Sequence, residues 1–93
     1  MVEYWSYERH LHQSDSKVQM LKVFEEVAET ASAISKNKPD DLRDGIGDVV
    51  VTLIILAQQN GMTLEECLQM AYDEIKGRTG TTVDGVFIKQ ADL

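Results

Sequence analysis

Cysteine, proline and basic residues are scarce in this chain of 93 residues. The single cysteine, Cys67, excludes an internal disulfide and fits a reducing compartment. The single proline, Pro39, leaves the chain nearly free of helix breakers. Nine basic residues face sixteen acidic ones, for a formal net charge of −7. That excludes general binding to nucleic-acid backbones, which needs a basic face to displace counterions. Long apolar runs are missing as well. The longest, Val49 to Ala57, is interrupted by Thr52; it is too short to cross a bilayer and suits a buried helix. Met1 to Gln13 carries charges and aromatics where a secretory signal would be apolar. These absences predict a cytoplasmic protein that engages neither membrane nor nucleic acid. A bare anionic substrate is also disfavoured, unless it brings divalent cations with it, since acidic side chains attract the metal and the metal attracts phosphate.

What remains is mostly helix. The pattern predicts an all-α, antiparallel bundle of about four helices with a short extended C-terminal tail. The first helix runs from about Val2 to Leu11 and carries Tyr4, Trp5 and Tyr7. Ser14, Asp15 and Ser16 offer N-cap oxygens for a second, from about Lys17 to Ser35, ended by Lys36-Asn37-Lys38-Pro39. A third runs from about Asp40 to Gln59 and closes at Asn60-Gly61. Thr63 with Glu66 forms a capping box that opens a fourth helix, to about Lys76. Asp84-Gly85 between β-branched residues predicts a small hairpin over Thr81 to Lys89. A domain this small buries only about 60–65% of its unfolded surface. The third helix, apolar all round beyond Asp48, has more hydrophobic circumference than three short neighbours can cover. An oligomer is therefore expected, a homodimer or a homotetramer.

Acids are the chemistry-bearing residues. Glu26 and Glu29 lie about 60° apart on one face of the second helix, with Glu25 beside them. Met20, Phe24, Val27, Ala28, Ala31 and Ile34 form an apolar stripe, expected to be the buried side. An acidic face opposite an apolar stripe is also what a merely solvated helix shows. Asp44 and Asp48 change the balance, being one turn apart at the mouth of the buried third helix. A buried carboxylate needs a cation, a donor or a raised pKa. Two helices with paired carboxylates supply four oxygen ligands for a hard cation such as Mg²⁺.

Gln19-Met-Leu-Lys22-Val-Phe-Glu25-Glu26-Val-Ala-Glu29 resembles the Q-x-x-K-x-x-E-E-x-x-E signature of MazG-like pyrophosphohydrolases. Ile46-Gly47-Asp48-Val49, Gly61-Met-Thr-Leu-Glu65-Glu66, Tyr72 and Glu74-Ile-Lys76-Gly-Arg78 continue the resemblance, which spans roughly Ser16 to Lys89. The family's second acidic motif is usually E-x-x-D, which would put a glutamate at Gly45; here Asp44 is the candidate replacement. The resemblance implies hydrolysis of a nucleoside triphosphate to monophosphate and pyrophosphate. It implies Mg²⁺, with Mn²⁺ as a substitute, on Glu26, Glu29, Asp44 and Asp48, and a water activated by Glu25 or Glu26. Lys22, Gln19, Lys76 and Arg78 are then substrate-binding candidates, Lys22 by touching phosphate or pairing with Glu26, and Lys76 and Arg78 by reaching phosphates across a subunit boundary.

The remaining features have plainer alternatives. Trp5 offers a face for a nucleobase, but terminal aromatics more often pack on the bundle or a partner. Cys67, with Leu64, Leu68 and Ala71, reads as a core thiol, and His10 and His12 lack a third ligand for zinc. Gly45 and Gly47 would permit close helix packing rather than a phosphate loop. Competing functions are a sibling dUTP-type, dCTP-type or phosphoribosyl-ATP pyrophosphohydrolase, and a non-catalytic acidic helical adaptor. An adaptor has no use for an acid such as Asp48 at the start of a buried helix.

Overall fold

The structure, a computed structural model, describes residues 1–92. Four α-helices and a two-stranded antiparallel hairpin make up the described residues: α1 (Val2–Glu8), α2 (Ser16–Ser35), α3 (Pro39–Gln59), α4 (Leu64–Ile75), β1 (Gly80–Val83) and β2 (Val86–Lys89). No helix among them is long and apolar enough to cross a membrane.

Local chemistry sets the boundaries. Asp15 caps α2 by accepting from the Lys17 amide at 2.8 Å. Thr63 and Glu66 form the expected reciprocal capping box on α4. Asn37, at φ 53°, turns the chain between α2 and α3, and Pro39 opens α3 at a position where its missing amide costs nothing. Asp84 and Gly85, at φ 50° and 80°, form the hairpin turn, pairing Val83 with Val86 and Thr81 with Ile88. The first helix is shorter than expected. It stops at Glu8 because His10 adopts a left-handed φ of 58°, and Leu11–Gln13 follow as a 3₁₀ turn.

The centre of the fold is the antiparallel pair α2 and α3. Ser16 lies by Gln59, Gln19 by Thr52 and Thr30 by Gly45. Gln19, Val23 and Ala33 are the buried residues of α2, with Glu26 and Thr30 half-buried between them. Gly45 and Thr52 face α2, and Gly45, Thr52, Ile55 and Ala57 are the buried residues of α3. α1 lies across α3, tied by the Gln58 amide on the Glu3 carbonyl at 3.0 Å, and the 3₁₀ turn after it is tied by the Gln59 amide on the Leu11 carbonyl at 2.9 Å.

The side of α2 that packs is therefore not the apolar stripe. Phe24 and Ile34 are each 60% exposed, and Val27 is exposed too. The small and polar face goes inward because it allows α2 and α3 to approach closely, leaving the apolar stripe outward. α4 likewise buries none of its residues. Cys67 is exposed, not a core thiol, because α4 packs only lightly on α3 and leaves an open apolar space, lined by Leu53, Leu56, Leu64, Cys67 and Leu68, between them. The radius of gyration is 16.2 Å, against about 12 Å for a compact domain of this length.

Candidate active site

The seam between α2 and α3 carries the acids. Glu26 on α2 and Asp48 on α3 are half-buried, and Glu29 follows Glu26 by one turn. The Thr30 hydroxyl donates to the Glu26 carbonyl at 2.7 Å, fixing this stretch of α2 locally. The Glu26 carboxyl is held above its ordinary pKa of 4.5, first by burial and then by the charges of Glu29 and Asp48. The nearness of the Glu29 carboxyl and the charge of Glu25 add to the shift. Glu26 Oε2 is buried with no hydrogen-bond partner. Three acidic groups thus crowd one seam with no basic side chain paired to Glu26.

Beside them opens a cavity of about 220 Å³, lined by Glu29, Ser32, Lys36 and Lys38 on one side and Asp41, Asp44 and Asp48 on the other. Asp44 thus joins Asp48 and Glu29, as the spacing suggested. Gly45 forms part of the same wall, and a Cβ there would stand 2.7 Å from Thr30 Oγ1 and 3.3 Å from Thr30 Cα. The glycine is what lets the two helices meet at the acids. Gly47 has no such neighbour, so close packing explains Gly45 and not Gly47.

The other candidates divide. Trp5 is brought to the site: with Met1, Val2 and Val51 it lines an apolar cavity of about 480 Å³ whose remaining wall is Asp48. The Arg9 guanidinium stacks 4.3 Å from the centroid of the Trp5 ring. Lys22 pairs with Glu25 at 3.3 Å rather than with Glu26. Gln19 is buried and donates its amide to the Thr52 carbonyl at 3.0 Å, a bond that joins α2 to α3 away from the cavity. Lys76 pairs with Asp73, and Arg78 lies 3.9 Å from Glu74, both near the end of α4 and outside the acidic cavity. His12 stacks on Tyr7 with centroids 4.5 Å apart.

The donor set fits a hard cation. Every candidate ligand is a carboxylate, and Glu26 Oε2 is a buried oxygen with no hydrogen-bond partner among the described residues. No three His, Cys, Asp or Glu side chains among the described residues converge as a ready-made metal site. Mg²⁺ commonly uses one or two carboxylates and completes its octahedron with water and substrate phosphates. The residues fit that mode, not a closed protein cage.

The chain is thus a helical protein with facing carboxylates along one helix pair. Residues 14–82 match the family model for the MazG nucleotide pyrophosphohydrolase domain, and the chain belongs to that family. It is similar to an uncharacterized 18.2 kDa protein of the rep-hol intergenic region of Haemophilus phage HP1 (strain HP1c1), with 43% identity over 60 residues. That similarity covers 63% of this chain and 37% of the phage protein, so the chain spans little more than a third of this relative's length. No solved structure matches significantly.

Proposed function

We propose that this protein hydrolyses nucleoside or deoxynucleoside triphosphates between the α and β phosphates, releasing the monophosphate and pyrophosphate. The observation that carries this reading is Glu26 Oε2, buried and unpartnered within the field of Glu29 and Asp48 on the family's own signature helix. Glu29, Asp44 and Asp48, with Glu26, would hold Mg²⁺ or Mn²⁺. When bound, the ion would neutralise charge developing on the phosphate oxygens and favour ionisation of the attacking water.

Glu26 is better suited than Glu25 to take the water's proton. Its Oε2 is buried and unpartnered beside the other acids, whereas Glu25 is exposed and paired with Lys22. The nucleobase lies against Trp5, in the apolar cavity beside Asp48. The working form is a homo-oligomer, at least a dimer. Support comes from the uncovered stripe of Phe24, Val27 and Ile34 and from an α4 with no buried residue. In that assembly Lys76 and Arg78 would meet phosphates of a neighbouring subunit's site.

The test is pyrophosphate release from a panel of canonical and modified (d)NTPs, with and without Mg²⁺. Metal-dependent pyrophosphate release from some members is expected. Release of orthophosphate alone, or no turnover by the folded protein, contradicts the proposal.

A further inference from the structure

Two cavities of opposite character meet at Asp48. The apolar one holds Met1, Val2, Trp5 and Val51; the charged one extends along α3 towards its N-terminus and ends at the turn into it. A nucleoside triphosphate has the same polarity, a flat apolar base at one end and its greatest charge on the β and γ phosphates. If the reading above holds, the base on Trp5 places the α phosphate near Asp48 and sends the terminal phosphates down the charged cavity.

The charged cavity is not uniformly acidic. Lys36 and Lys38 line it together with Glu29, Asp41, Asp44 and Asp48. The ion pairs among the described residues involve Lys22, Arg43, Lys76 and Arg78, so both lysines keep their charge uncommitted despite the acids nearby. Their backbone is fixed: the Lys36 amide donates to the Ser32 carbonyl and the Lys38 amide to the Ala33 carbonyl, each at 3.0 Å, around the left-handed Asn37. Two cations on a rigid turn therefore stand at the end of the cavity away from Trp5.

We infer that Lys36 and Lys38 bind the pyrophosphate portion of the substrate, which is the leaving group of the reaction. In the hydrolysis a water oxygen bonds to the α phosphorus and the bond from that phosphorus to the bridging oxygen breaks. The bond's electron pair stays on the departing pyrophosphate, and the water's proton passes to a carboxylate and then to solvent. Ammonium groups at the far phosphates bind the anion as it gains charge, by charge-assisted hydrogen bonds.

The experiment compares the full chain with the Lys36→Gln/Lys38→Gln double variant. Binding of inorganic pyrophosphate in the presence of Mg²⁺ is measured by calorimetry, and inhibition by pyrophosphate and by nucleoside monophosphate is measured on turnover. The double variant should bind pyrophosphate about tenfold more weakly or worse, the factor a single lost charge contact produces, with monophosphate inhibition unchanged. The Lys36→Arg/Lys38→Arg variant should retain binding. Unchanged pyrophosphate affinity in the glutamine variant, equal weakening of both products, or no pyrophosphate binding by the parent chain overturns the inference. Failure of the pyrophosphohydrolase reading shows separately, as a parent chain that turns over no triphosphate.

Discussion

Gly45 and Thr30 touch across the α2–α3 seam so closely that a Cβ at position 45 would lie 2.7 Å from the Thr30 hydroxyl oxygen. This contact leaves no room for a side chain at position 45. Thr30 cannot give way cheaply, being β-branched and bonded to the Glu26 carbonyl. Gly45→Ala should lower stability by about 1–3 kcal/mol, the usual cost of overpacking. Thr30→Ala in the same chain should recover part of it. Urea denaturation of the two singles and the double measures the coupling; strict additivity would contradict the contact.

The raised pKa of Glu26 has a stability consequence whose sign is fixed by linkage. Its folded-state value lies above the ordinary 4.5, so the folded protein holds that proton more tightly than the unfolded chain. The resulting stabilisation is complete below about pH 4.5 and is lost as pH rises through the folded value. Glu26→Gln removes that loss. In chelator, the variant should gain stability relative to the parent as pH climbs from about 4.5 towards neutrality. Parallel pH–stability curves would show that Glu26 is not held in this way.

Trp5 tests where the base lies. Stacking on an aromatic contributes about 1–3 kcal/mol per base, so Trp5→Ala should raise KM for the best triphosphate substrate by about fivefold or more. Pyrophosphate inhibition should stay as it was. A change in pyrophosphate affinity instead would place Trp5 at the phosphates.

Phe24 stands at the middle of the uncovered stripe of α2. Sedimentation of the parent chain should give a mass of at least two copies, and Phe24→Glu should shift it towards one copy, with lower thermal stability. A monomeric parent chain would contradict the oligomer.

The boundaries of α2 to α4 and the hairpin could be read from capping and turn chemistry, because those signals are local: Thr63 with Glu66, Asp15, and Asp84-Gly85 act within a few residues, whereas the early end of α1 at the left-handed His10 carries no such signal. The side of α2 that packs could not be read the same way. Hydrophobic periodicity pointed to Phe24, Val27 and Ile34, whereas the protomer buries Gln19, Val23 and Ala33. A stripe belonging to a subunit contact looks the same in sequence as one belonging to the core. The acids were legible as i, i+3 and i+4 pairs, but the same spacing extends from Glu29 through Ser32 to Lys36, and from Asp41 through Asp44 to Asp48. Following it would have found the lysine end of the cavity. Gln19 within an acidic motif reads as a ligand in sequence, and its bond to the facing Thr52 carbonyl shows only in the structure.

The most direct test of the account is Mg²⁺-dependent pyrophosphate release by the parent chain beside Glu26→Gln and Asp48→Asn, with folding checked by circular dichroism. The parent should release pyrophosphate, and both variants should stay folded while losing about a hundredfold or more of the rate, as loss of a general base (Glu26) or of a metal ligand (Asp48) does. Turnover near the parent rate in either folded variant would contradict the placement of the chemistry at the α2–α3 seam.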